Sequence, residues 1–143
     1  MTRSAASLIF ALAWLCLAGP ACARTTGADA HPPPGDAEAV AEWFLDRHYV
    51  EIDLEAARNA TRGHARARVD QEIALVQGVR GHLAGAQGRA YYERVDGPGH
   101  RYLLTVQLGA TTLERELRLE LVEGEGRWWV ESFSESERSG GSE

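Results

Sequence analysis

Residues 90–133 read AYYERVDGPGHRYLLTVQLGATTLERELRLELVEGEGRWWVESF, and this stretch decides the fold. Its first part, residues 90–95, is rich in β-favouring side chains and stops at residues 96–99, where Asp-Gly-Pro-Gly is a strong turn signal. Residues 100–108 again have the composition of a strand. The two segments are therefore predicted to form a β-hairpin.

Residues 113–123 (LERELRLELVE) are compatible with two kinds of structure. A leucine at every fourth position is helical spacing, and both Glu and Leu favour a helix. Leucines also alternate with charged side chains, however, as they do in a half-buried strand. Glycine turn signals on both sides limit the segment to the length of a strand, so a strand is favoured. Residues 127–133 (RWWVESF) are predicted to be the last strand.

The chain before these strands is predicted to be helical. Asp36 and Asp53 are predicted N-caps of two helices, and the first helix carries an apolar stripe near helical spacing. A third helix is predicted over residues 64–77, where apolar side chains recur at i, i+4, i+8 and i+11. Glycines between positions 78 and 88 then end the helical structure. Helices followed by antiparallel strands predict an α+β fold, with N-terminal helices packed on a curved sheet of about four strands.

Two segments resemble the nuclear transport factor-like (cystatin-like) superfamily, in particular its small, uncharacterised exported bacterial members. They are the opening helix AEAVAEWFLDRHYVEIDLEAA (residues 37–57) and the closing strand GRWWVESF (residues 126–133). The resemblance covers about residues 37–133. It implies a helix-backed, strongly bent sheet shaped like a cone, often with an apolar pocket inside. This chain has fewer predicted strands than the fuller members, which argues against a deep pocket.

The domain organisation follows from composition. Residues 1–23 have the pattern of a secretory signal peptide, with a basic start, an eleven-residue apolar run and Ala-Cys-Ala before the predicted cleavage point. Acylation at Cys22, as in a bacterial lipoprotein, is the alternative processing route. Residues 24–35 are predicted to be a Pro-rich linker, residues 36–134 a single domain, and residues 135–143 a flexible tail.

Charge and composition exclude several classes of function. The 143 residues include 15 basic residues, all arginine, and 21 acidic ones, so the net charge is −6 and a nucleic-acid-binding surface is not expected. No apolar run reaches the roughly 18 to 20 residues that cross a bilayer, so no transmembrane helix is expected in the mature chain. Both cysteines fall within residues 1–23, which leaves no thiol nucleophile or disulfide after cleavage.

Catalytic and metal-binding motifs are also missing from the sequence. There is no G-x-S-x-G nucleophile elbow and no phosphate-binding loop with its lysine. No two of the five histidines are three to five residues apart, and structural zinc relies on cysteine. No metal and no cofactor are therefore expected, and an enzyme is the less favoured interpretation.

His48 is the strongest candidate for chemistry. It precedes Tyr49 at the end of the first predicted helix, and Asp53 follows five residues later. The superfamily resemblance implies an isomerase- or hydratase-like alternative, because some of its enzymes use Tyr, Asp or His inside the cone for acid–base catalysis on small apolar substrates. The structural interpretation of His48 is a helix C-terminal residue that interacts favourably with the helix dipole.

Aromatic residues supply the candidate binding surface, namely Trp128, Trp129, Tyr91 and Tyr102. Adjacent tryptophans on a strand point to opposite faces, so one packs on the helices and the other is free to contact a ligand or partner. The leading hypothesis is an exported, non-enzymatic accessory protein of the bacterial envelope, in the periplasm or outside the cell. It would be a monomer or homodimer that binds a small apolar ligand or an envelope protein on the concave face of its sheet.

Overall fold

The computed structural model describes residue 27, residues 30–79 and residues 88–138. The predicted signal peptide and the candidate acylation site Cys22 lie outside the described residues, as does the end of the predicted tail. In the described part of the chain, helices precede a four-stranded antiparallel sheet. The predicted α+β fold class is confirmed.

The helical elements of the described residues are α1 (Ala37–Leu45), a π-helical segment that continues it (Asp46–Val50, here the π turn), α2 (Leu54–Arg58) and α3 (Gly63–Val79). Both predicted N-caps are confirmed. The Asp36 carboxylate accepts the Ala39 backbone N–H at 2.9 Å, which satisfies one of the unpaired donors at the start of α1. The Asp53 carboxylate does the same for Ala56, at 3.1 Å.

The strands are β1 (Arg89–Arg94), β2 (His100–Leu108), β3 (Thr111–Gly124) and β4 (Arg127–Glu137). They form a meander in which each strand pairs with the next along the chain, in the order β1-β2-β3-β4. The ambiguous residues 113–123 are strand, as favoured: Leu117, Leu119 and Leu121 pack towards the core, while Glu116, Arg118 and Glu120 alternate with them on the other face. β4 continues beyond the predicted end at residue 133, so residues 135–137 are strand residues and not part of a tail.

The core lies between the helices and one face of the sheet. Its larger members come from α1, α3 and three strands, and they are Val40, Phe44, Leu45, Val69, Tyr102, Leu104, Leu117, Leu119, Val130 and Phe133. Burying these side chains supplies the main favourable free energy of folding. The described part of the predicted linker also contacts this domain: Ala30 is buried, and its carbonyl accepts a hydrogen bond from the Asn59 amide at 2.6 Å.

The two edges of the sheet differ. Along β4, Thr61 forms a parallel bridge with Val130, whose N–H donates to the Ala60 carbonyl at 2.9 Å. The Arg62 N–H in turn donates to the Val130 carbonyl at 3.1 Å. β1, at the other edge, has β2 as its one strand partner among the described residues.

Candidate functional site

The π turn places His48 inside the molecule. Its side chain is only 7% exposed, and its ring packs on Phe44, Phe133 and Tyr49 at centroid distances of 5.2, 5.1 and 4.3 Å. Phe44 and His48 are four residues apart, so they share one face of the helical segment. His48 is therefore a buried side chain of the helix–sheet interface, and not a group on the outer surface.

A hydrogen bond ties His48 to α3. Its Nε2 atom lies 2.5 Å from Glu72 Oε2, and the other oxygen of Glu72 accepts from Arg68 Nε at 3.1 Å. Nδ1 of His48 is buried and has no hydrogen-bond partner among the described residues. One imidazole nitrogen is thus hydrogen-bonded to a carboxylate, while the other is buried without a hydrogen bond among the described residues.

Further hydrogen bonds connect Arg68 and Tyr49 to β4. Arg68 donates to Glu135 Oε1 at 2.8 Å, and the Tyr49 hydroxyl donates to that same oxygen at 2.8 Å. Arg115 of β3 approaches the second Glu135 oxygen at 3.3 Å. We call His48, Tyr49, Arg68, Glu72 and Glu135 the charged network. It joins the π turn, α3 and β4 at one end of the sheet.

Burial and neighbouring charges alter the pKa values in this network. Burial alone raises the pKa of Glu72, but the hydrogen bonds and charges of His48 and Arg68 outweigh it, so its pKa lies below the usual range. Burial, reinforced by the Glu135 carboxylate, raises the pKa of Tyr49 far above its ordinary value. Tyr49 therefore remains a hydrogen-bond donor, and Glu72 remains a carboxylate at neutral pH.

Asp53, the third residue of the acid–base hypothesis, has a different role. One carboxylate oxygen caps α2, and the other accepts the Gly27 backbone N–H at 2.7 Å. Both oxygens are thus occupied by backbone donors. The structure brings His48 and Tyr49 together, and it uses Asp53 to hold a helix end.

The four aromatic candidates do not meet at one place. Tyr102 is fully buried on β2, and Trp128 packs against the core from β4. Trp129 lies on the opposite face of β4, where the Arg127 guanidinium sits 3.5 Å from its ring centroid and its indole donates to the Gly124 carbonyl. Tyr91 is 52% exposed on β1, at the far edge of the sheet. The predicted split of the tryptophan pair is confirmed, but no shared aromatic surface results.

An apolar cleft adjoins the charged network instead. It has a volume of about 580 Å³ and lies between the end of the π turn and the helix-facing side of the sheet. Apart from Tyr49, its lining side chains and backbone come from Val50, Glu51, Ile52, Gly88, Ala90, Val106 and Leu108. Ala90 and Val106 are direct partners in the β1–β2 register, so their side chains share this face. We call this space the cleft.

Ile52 stands out among the lining residues. Its backbone has a φ of 54°, in the left-handed region that follows many helices and that is usually occupied by glycine. The Asp53 N–H donates back to the Arg47 carbonyl at 2.7 Å, which holds this conformation. Although it is β-branched and apolar, the Ile52 side chain is 64% exposed. The position is thus unfavourable for isoleucine in two independent respects.

Sequence reasoning missed both the cleft and most of the charged network. Arg68 and Glu72 are spaced i, i+4 on the third helix, but this spacing does not show that their side chains also bind groups on the π turn and β4. Arg68 and Glu135 are 67 residues apart in the sequence, and their hydrogen bond depends on how α3 packs against β4. No sequence signal predicts the left-handed backbone conformation of Ile52.

No group of three or more metal-ligating side chains is found within residues 30–79 and 88–138. None of the helices seen there combines the length and the apolarity that a membrane span requires. Comparison with protein-family models, with curated proteins and with solved structures finds no match to this chain.

Proposed function

We propose that this protein is an exported, non-catalytic accessory protein of the bacterial envelope that binds a small apolar ligand in the cleft. The observation that carries this proposal is Ile52, an exposed isoleucine in a left-handed backbone conformation at the edge of the mainly apolar cleft. The cavity has the size of small-molecule sites in other proteins.

The cost of this arrangement supports a role for the Ile52 side chain. A non-glycine residue in the left-handed region costs about 1–3 kcal/mol, and glycine would avoid that cost. Ile52 makes little compensating contact within the protein, because most of its surface is exposed. A bound apolar ligand would cover this surface and add hydrophobic stabilisation that glycine could not provide.

The remaining lining defines the ligand's character. Val50, Val106 and Leu108 are apolar, and Leu113, the register partner of Val106, extends the same face with an exposed side chain. The Tyr49 hydroxyl is already bound to Glu135, so it offers no free donor to the ligand. We expect the ligand to be mostly hydrocarbon or aromatic.

Export is supported by the sequence. Residues 1–23 have the three parts of a signal peptide, and no cysteine follows them. In the envelope a binding protein of this size would carry or sense an apolar molecule outside the cytoplasm. Its stability would come from the core described above, without disulfides.

The test compares Ile52→Gly with wild type in two measurements, the binding of the neutral apolar dye 1-aminoanthracene and unfolding by urea. Binding of the dye should weaken about tenfold, since covering one aliphatic side chain contributes about 1.5 kcal/mol. Stability should rise by about 1 kcal/mol through relief of the backbone strain. The two readouts move in opposite directions, which a general loss of structure would not produce.

Leu75→Ala is the matched control, because Leu75 is an equally apolar side chain, 71% exposed, on α3 and away from the cleft. It should leave dye binding unchanged. The proposal is overturned if wild type does not bind the dye, or if Ile52→Gly binds it as tightly as wild type does.

A further inference from the structure

The free edge of the sheet is β1. Within the residues that the structure describes, its backbone pairs with β2 on one side and with no strand on the other. An unpaired strand edge presents a row of N–H and C=O groups that can pair with another chain. The edge thus offers a surface for an added strand.

The outward-facing side chains of β1 are exposed to solvent. They are Arg89, Tyr91 and Glu93, all three exposed, which alternate with the helix-facing residues. Neither Arg89 nor Glu93 forms an ion pair with any described residue. Arg94, by contrast, points to the other face and pairs with Glu38 at 2.9 Å.

We propose that a second copy of this chain pairs antiparallel with β1, about a two-fold axis that passes beside Tyr91. In this register Tyr91 faces Tyr91 of the second copy, and each Arg89 faces a Glu93. Two equivalent charge pairs and one aromatic pair then form on the same face of a continuous eight-stranded sheet.

Other registers lack this complementarity. A shift of one residue in one direction sets Arg89 opposite Arg94 of the other copy, which places like charges together, and in the other direction it sets Arg89 opposite Tyr92. A shift of two residues in one direction sets Glu93 opposite Tyr91, and in the other direction it sets Arg89 opposite Tyr91. The register centred on Tyr91 is the one that pairs both free charges of β1 with their opposites.

The self-complementarity of β1 favours a second copy over an unrelated partner. In a two-fold interface, when residue i contacts residue j, then j also contacts i. Arg89 and Glu93 are placed symmetrically about Tyr91, two residues on either side, as such an axis requires. An unrelated strand would have to supply the reverse charge pattern by itself.

The test is a charge-swap series, with the dissociation constant of the dimer measured by analytical ultracentrifugation at low salt. Wild type should dimerise. Arg89→Glu and Glu93→Arg should each weaken the dimer at least tenfold, because each replaces two attractive pairs by two repulsive ones. The double variant, Arg89→Glu with Glu93→Arg, should restore the wild-type affinity, because both pairs are re-formed with their signs exchanged.

Glu123→Arg is the matched control, since it makes the same charge change at an exposed position of β3, away from the free edge. It should dimerise like wild type. The proposal is overturned if wild type stays monomeric at several hundred micromolar, if the single variants dimerise as well as wild type, or if the double variant fails to recover. Dye binding is measured on the same variants. Neither Arg89 nor Glu93 lines the cleft, so these variants should bind the dye as wild type does, and the dimer proposal is tested separately from the cleft proposal.

Discussion

At the scale of single residues, Glu72 links stability to pH. Its pKa is lower in the folded protein than the ordinary value of 4.5. The stabilisation that the ionised Glu72 carboxylate provides is therefore fully present above pH 4.5. The contribution is lost as the pH falls and the carboxylate is protonated in the folded state. The Glu72 carboxylate contacts His48 and Arg68, and Arg68 in turn donates a hydrogen bond to Glu135 on β4.

We therefore expect Glu72→Gln to lower the melting temperature at pH 7 and to have a progressively smaller effect as the pH falls below 4.5. Melting curves between pH 3 and pH 7 measure this difference. Glu123→Gln, which removes an exposed carboxylate from β3, should give a much smaller change throughout. A Glu72→Gln deficit that stays constant with pH would contradict the assignment.

Asp53 provides a second prediction at this scale. Asp53→Ala removes the cap of α2 and the bond to Gly27, so it should cost about 1–2 kcal/mol of unfolding free energy. Asp36→Ala removes one exposed cap and should cost less. Urea titrations compare the two. If Asp53→Ala is as stable as wild type, Asp53 is not the structural anchor described above.

At the scale of elements, adjacent tryptophans on β4 should respond differently to truncation. Trp128 packs against the core, so Trp128→Ala should cost about 3 kcal/mol. Trp129 lies on the other face under Arg127, and its replacement by Ala should cost about 1 kcal/mol. Urea unfolding of both variants tests the ranking, and equal costs would refute this description of β4.

The elements themselves were largely predictable, because their signals are local. A capping aspartate, a glycine turn or an alternation of leucine with charge acts within a few residues. The π turn was not predictable, since a widened turn has no signal of that kind. The contact between His48 and Glu72 joins residues 24 positions apart, and it exists only once α3 has docked against the π turn.

The candidate site was harder to predict than the fold. Sequence reasoning selected His48 and Tyr49, which do lie together, but it grouped them with Asp53 and searched for binding residues among the aromatics. The cleft is lined mainly by small and aliphatic side chains such as Ala90 and Val106. Such residues are common in any core, so only their exposure in the folded protein distinguishes them.

At the scale of the whole molecule, export predicts a specific mature chain. Cleavage after Ala23 leaves residues 24–143, with 14 basic and 21 acidic residues, and hence a net charge of −7. Intact mass spectrometry of protein taken from the envelope should give the mass of this chain. Ala23→Asp should block cleavage, because signal peptidase requires a small residue there. A mass that starts at Cys22 with added acyl groups would establish the lipoprotein route instead.

The parallel bridge between Thr61 and Val130 limits how far such chains can associate. Residues 60–62 occupy the β4 edge at Val130, whereas β1 has no such contact among the described residues. If a second copy pairs through β1 as proposed, β4 is the remaining edge, and a strand added there would have to avoid or displace the contact at Val130. The bridge would thereby hinder the open-ended polymerisation to which sheets with two free edges are prone.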